Sequence, residues 1–152
     1  MPDNRGFNND RSSYPNNMPK HQPVKIEGFY KDGKIKEELF DKKAKDIADS
    51  FYGISGTQLR RIYDEVKRFE QKLNGDVESW SNNFPYIKMV KAKVSYSVAR
   101  AIKNESKAEN AYRNLSAFIT EGIDLIKDEK DYHVFLSLFE AVYGYSYEKI
   151  RN

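Results

Sequence analysis

Apolar residues recur along most of this chain every three or four positions, the spacing that gathers them on one face of a helix. Leu39, Phe40, Ala44, Ile47, Ala48 and Phe51 form the first stripe, with Glu37 and Glu38 suited to its start and Gly53 and Gly56 breaking the chain after it. Thr57 is a good N-cap for a second helix over residues 57–74, where Leu59, Ile62, Tyr63, Val66, Phe69 and Leu73 share a face and Gly75 marks the stop. Asp76 to Asn83 reads as a short helical turn around Trp80. Pro85 then opens a third helix at a position where its missing N–H costs little, and Ile87, Val90, Val94, Val98 and Ala101 line that helix. A boundary follows at Asn104 or Ser106. The fourth stripe is Ala108, Ala111, Tyr112, Leu115, Phe118, Ile119, Ile123 and Ile126, and Gly122 within it permits close packing or a bend. Asp128 caps a fifth helix with Tyr132, Phe135, Leu136, Phe139, Val142 and Tyr143 inward, and Gly144 ends it.

The first 36 residues differ. Residues 1–23 carry four of the five prolines and five asparagines, with few large apolar side chains to offset the entropy of ordering them, and are expected to be disordered. Val24 to Tyr30 alternates, Asp32-Gly33 is a turn signal and Ile35 follows, so a short hairpin is allowed within a flexible lead. The fold expected is all-α: a compact bundle of about five helices after a disordered N-terminal lead, divided as a lead over 1–36 and one helical domain over 37–152.

Composition narrows the chemistry. The 152 residues contain no cysteine, which excludes disulfides, thiolate metal sites and thiol nucleophiles. No apolar run approaches the roughly 20 residues that span a bilayer, and no secretory signal is visible, so a cytoplasmic protein without a membrane partner is expected. The two histidines, His21 and His133, stand in no arginine-histidine or Glu-x-x-His arrangement, and Walker, Rossmann and nucleophile-elbow motifs are absent. Asp124, Asp128 and Asp131 lie within two turns of each other and could seat a Mg²⁺, but carboxylates at a helix start more commonly cap it and serve its dipole. No enzyme, cofactor or small-molecule substrate is expected.

Charge then singles out one region. Bases and acids nearly balance at 26 against 23, yet residues 57–107 carry 11 bases and 6 acids while residues 108–152 carry 5 and 8. Pro85 to Lys103 holds five bases and no acid. At about 100° per residue Lys93, Arg100 and Lys103 fall opposite the apolar stripe together with Tyr96, and Lys88 and Lys91 lie on one flank. On the second helix Arg61, Arg68 and Lys72 project outward with Arg60 and Lys67 along a flank, diluted by Asp64, Glu65 and Glu70, which can pair with them within the helix. Local imbalance of this kind suits a polyanion. The candidate nucleic-acid-binding residues are therefore Arg60, Arg61, Lys67, Arg68, Lys88, Lys91, Lys93, Arg100 and Lys103. A polarised surface also suits head-to-tail stacking of identical subunits.

Two segments carry a resemblance. Gln58-Leu59-Arg60-Arg61-Ile62-Tyr63-Asp64-Glu65-Val66, after a Ser/Gly/Thr lead, and Phe135-Leu136-Ser137-Leu138-Phe139-Glu140-Ala141-Val142-Tyr143-Gly144-Tyr145 resemble the signature regions of the small subunit of type III-A CRISPR effectors, the Csm-type complexes. Where that family usually has alanine before its final tyrosine, this chain has Gly144. The resemblance implies a non-catalytic helical subunit of an RNA-guided antiviral complex, present in several copies that stack beside the backbone subunits. It further implies that basic side chains accommodate guide and target RNA, with cleavage belonging to other subunits. The alternative is a protein–protein adaptor or scaffold subunit without direct RNA contact, whose aromatic C-terminus mediates assembly.

Overall fold

The computed structural model describes residues 22–147. Residues 1–21 of the Pro- and Asn-rich stretch expected to be disordered, with Arg5, Arg11, Lys20 and His21, lie outside the described residues, as do residues 148–152.

An Asp-Gly turn makes the hairpin. Asp32 and Gly33 both adopt left-handed conformations, φ 53° and 77°, which matches the twist of two antiparallel strands, β1 (Tyr30–Lys31) and β2 (Lys34–Ile35), paired Tyr30 to Ile35 and Lys31 to Lys34. Ahead of it, within the stretch assigned to the lead, Ile26 and Phe29 are buried in the core. The Glu121 carboxylate accepts the backbone N–H groups of Ile26 (2.6 Å) and Glu27 (3.2 Å), and the Tyr30 hydroxyl donates to Asp131 at 2.7 Å. Lys36 and Lys43 donate to the backbone carbonyls of Glu27 and Lys25. This arm is therefore tied to the bundle by backbone groups that would otherwise be unsatisfied.

Five α-helices follow: α1 (Ala44–Asp49), entered through a wide π turn at Leu39–Lys43, α2 (Gly56–Lys67), α3 (Val77–Asn104), α4 (Glu109–Asp124) and α5 (Glu129–Ser146). The apolar stripes fall inward as their spacing dictates, except that Phe40 is exposed because the π turn rotates it away from Leu39. α3 packs along α4, α1 along α5, and α2 against both α3 and α5. Consequently α5 is surrounded: Val134 and Leu138 are buried as well as Tyr132, Phe135, Leu136, Phe139 and Val142, whereas Tyr143 is only half-buried. A helix apolar around most of its circumference is what a central position requires. Phe118 meets Phe51, Phe135 and Phe139 at centroid distances of 5.8, 5.4 and 5.3 Å, and the arm's Phe29 adds a further ring beside Phe135.

Four boundaries differ from the sequence expectation, each for a local reason. Ser55, not Thr57, caps α2, its side chain accepting the Gln58 N–H. α2 stops at Lys67 rather than near Asn74, because the buried Tyr132 hydroxyl donates to the Val66 carbonyl at 2.7 Å and replaces the next helical bond; Phe69 and Leu73 stay buried in the turns that follow. The Trp80 segment and the Pro85 helix are one continuous α3. Its true cap is Asp76, which accepts the Ser79 N–H at 2.7 Å, and Pro85 is tolerated inside because both it and Ser81, whose carbonyl loses its donor, face solvent. Gly144 does not end α5, which runs through Ser146; the Ser146 hydroxyl donates to the Val142 carbonyl there. Gly122, by contrast, serves close packing, since a Cβ on it would fall 2.0 Å from Cε2 of Phe135. Asp128 caps α5 as expected by accepting the Asp131 N–H at 2.9 Å.

Candidate nucleic-acid interface

The basic residues are carried by α2, its C-cap Arg68 and α3; the two helices are neighbours whose apolar faces are held by the core, so their charged faces are fixed in direction. Between them lies a cleft of about 470 Å³, lined by Arg61, Asp64, Glu65, Lys93, Tyr96 and Ser97. Arg100 follows one turn beyond Tyr96, with its guanidinium 5.6 Å from the Tyr96 ring centroid. The structure thus brings Arg61, Lys93 and Arg100 to one side, joined by Arg68 through a shared acid: Glu65 lies 3.3 Å from Lys93 Nζ and 3.4 Å from Arg68 Nε.

Ion pairs sort the nine candidates. Arg60 pairs with Asp64 at 3.9 Å, Lys91 with Asp124 across the α3–α4 seam, and Arg68 and Lys93 share Glu65. Among the described residues Arg61, Lys67, Lys88, Arg100 and Lys103 make no ion pair. Lys67 sits over Tyr63 and Lys88 over Phe84, contacts with aromatic faces that leave their charge available to solvent. The two helices do not present all nine as one surface. Lys88 and Lys91 lie on the flank of α3 turned toward α4, while Lys103 borders both that flank and the outer face.

The C-terminal acids have structural partners. Asp124 holds Lys91, Glu129 accepts the Gly75 N–H, and Glu109 pairs with Arg113. Glu121 holds the arm, and Asp131 accepts both the Tyr30 hydroxyl and the Lys127 N–H. Asp124, Asp128 and Asp131 therefore each have other work, and among the described residues no group of three metal-ligating side chains occurs. His133 is exposed on α5 beside Tyr132.

Three surface features were not singled out from the sequence. Tyr86 and Met89 stand exposed on α3 together with Tyr96. Their spacing was readable, but large side chains at helical spacing ordinarily mean core. A second, wider groove of about 920 Å³ runs between α3 and α4 with Ser95, Ala99, Ser116 and Ala117 on its walls, Val98 and Ile102 on its floor, and Lys103 and Arg113 at one end. Among ionisable groups near these surfaces, burial, followed by Glu140, raises the Tyr63 hydroxyl above its ordinary pKa, keeping it neutral against Phe139 and Tyr143.

Among the described residues, no helix is long and apolar enough to cross a membrane. No curated protein and no solved structure matches the chain. The family model Csm2 Type III-A, however, matches residues 34–149, from the hairpin to beyond α5. That family supplies a structural subunit of type III-A CRISPR Csm complexes, not a known catalytic one, and membership implies association with the other Csm subunits. An all-α bundle whose signature segments form α2 and α5 is consistent with that match over most of its length, and the chain belongs to the Csm2 Type III-A family.

Proposed function

We propose that this subunit grips the backbone of guide or target RNA through the α2–α3 face, without reading sequence, and stacks in several copies within the Csm complex. The observation that carries the RNA reading is the set of exposed cations without an ion pair, Arg61 on α2 and Arg100 and Lys103 on an α3 that bears no acid after Glu78, while the cleft acids Asp64 and Glu65 are held by Arg60, Arg68 and Lys93 and the acids of α4 and α5 are mostly engaged elsewhere. Lysine and arginine neutralise phosphates and carry no base information, so affinity should depend on salt rather than on sequence. Arg60, Lys67, Arg68, Lys88, Lys91 and Lys93 contribute field; those already paired must share or exchange a carboxylate to reach a phosphate.

The test is a salt titration of RNA binding. Each phosphate neutralised on a single strand contributes about 0.7 to the slope of log K against log salt, so replacing Arg61, Arg100 and Lys103 together by alanine should flatten that slope by about 2. All three are exposed, and the helical circular-dichroism signal should be unchanged. An unaltered slope in a folded triple variant sinks the reading.

The α3–α4 groove supports a second role in protein contact, because small walls over an apolar floor admit another chain's side chains. Ala99→Gln with Ala117→Gln, which fills the groove without adding charge beside Lys103, should impair entry into the reconstituted complex while leaving RNA affinity of the free chain in place.

A further inference from the structure

Large apolar side chains on a solvent face need a reason when they line up. On α3, Tyr86, Met89, Lys93, Tyr96 and Arg100 follow one another at spacings of three, four, three and four residues, so they form a single stripe roughly 21 Å long at 1.5 Å per residue. Tyr86 is 56% exposed, Met89 43% and Tyr96 64%. Cations are interleaved in its second half: Lys93 stands between Met89 and Tyr96, Arg100 lies over the Tyr96 ring, and Arg61 shares the α2–α3 cleft with Tyr96. No acid occurs on α3 after Glu78.

Resting on the RNA reading above, we infer that this stripe is a stacking platform that holds single-stranded RNA by its bases, with Tyr86, Met89 and Tyr96 under the bases and Arg61, Lys93 and Arg100 beside the phosphates. Exposed rings interleaved with cations match the two surfaces a single strand offers, flat π faces and a line of negative charge. A duplex offers only the second, because its base faces are covered by their neighbours. Stacking is tolerant of sequence, since every base has a π face, so the stripe adds strand selectivity without adding base specificity. The stripe itself bears no acid, the neighbouring Asp64 and Glu65 of the cleft being already paired with Arg60, Arg68 and Lys93, and its rings distinguish it from a face that only neutralises charge.

The experiment uses the full chain with three probes of equal length: an oligouridine, an abasic strand with the same sugar–phosphate backbone, and a fully paired RNA duplex. Base stacking requires oligouridine to bind more tightly than the abasic strand, by about fivefold or more for each ring engaged. Tyr86→Ala with Tyr96→Ala should erase that preference while leaving the salt slope as it was, and Tyr86→Phe with Tyr96→Phe should keep it. Equal binding of oligouridine and the abasic strand by the wild-type chain overturns the proposal but leaves phosphate gripping intact. Failure of every probe to bind at low salt removes both. If the alanine pair binds oligouridine normally but no longer joins the other Csm subunits, the stripe is a protein contact and the proposal falls.

Discussion

Gly122 and Gly144 allow one chemical change to be read with opposite signs. In a helix interior glycine costs about 0.5–1 kcal/mol relative to alanine through backbone entropy, so adding a methyl group is favourable wherever room exists. At Gly144, on the exposed side of α5, nothing lies within 4 Å of the added Cβ, and Gly144→Ala should stabilise by about 0.5–1 kcal/mol. At Gly122 the same Cβ would sit 2.0 Å from Cε2 and 2.5 Å from Cζ of Phe135. Ordinary contact needs well over an ångström more. The ring cannot give that distance, since Phe135 is fully buried and hemmed in by Phe29, Phe118 and Phe139. Overpacking of a close-fitted core costs about 1–3 kcal/mol, and an overlap this deep belongs at the upper end, near 3 kcal/mol. For a domain of this size 1 kcal/mol corresponds to roughly 3–4 °C, so Gly122→Ala should lower Tm by about 10 °C while Gly144→Ala raises it by about 2–3 °C. Calorimetry or denaturant titration of both variants, with Phe135→Leu added to each, completes the comparison. Phe135→Leu should relieve much of the Gly122→Ala penalty and leave the Gly144→Ala effect unaltered, the non-additivity expected of side chains in contact. A Gly122→Ala variant as stable as wild type would falsify the packing of α4 against α5 described above.

Two further outcomes follow from tyrosine hydroxyls that hold elements together. Tyr132→Phe keeps the ring but strips the donor from the Val66 carbonyl at the end of α2, and leaving that buried acceptor unmet should cost about 1–3 kcal/mol; a urea midpoint equal to wild type would contradict the assigned bond. Burial first, then the Asp131 carboxylate, pushes the Tyr30 hydroxyl from its ordinary 10.0 up to about 12. The folded state therefore holds that proton more firmly than the unfolded chain, so its stabilisation is complete below pH ~10 and is lost as pH rises toward about 12. Tyr30→Phe should make the alkaline decline in denaturation midpoint shallower over that window, and an equally steep decline would assign it to other groups.

The helical stripes were legible because burial repeats with the 3.6-residue turn, and the hairpin because Asp32-Gly33 tolerates the left-handed conformations it needs. What escaped depends on three-dimensional neighbours. Whether Pro85 starts a helix or sits within one turns on whether the orphaned carbonyl faces water, which no local spacing reveals. Gly144 reads as a stop signal until its exposed side of a continuing helix is seen. The end of α2 is set by Tyr132, a residue 66 positions beyond Val66. The candidate site was legible as a list of bases but not as a surface. The intrahelical pairing of Arg60 with Asp64 follows from their separation of four, whereas the Lys93–Glu65 and Lys91–Asp124 pairs depend on how α3 lies against α2 and α4. Tyr86 and Met89 were overlooked since aromatic periodicity points to a core before it points to a platform.

The central place of α5 has a consequence for how the molecule is made. The ribosome delivers α1 through α4 before the helix that α1, α2 and α4 all pack against, and the arm residue Ile26 finds Glu121 only 95 residues downstream. Until Glu129–Ser146 emerges, α3 and α4 can pair with each other, but α1 and α2 lack the helix they chiefly pack against. The bundle therefore closes late in synthesis, when α5 draws α1 and α2 together beside the α3–α4 pair. Nascent chains stalled before Glu129 should remain protease-sensitive, and a stall placed far enough beyond Ser146 to free α5 from the exit tunnel should be the first to resist.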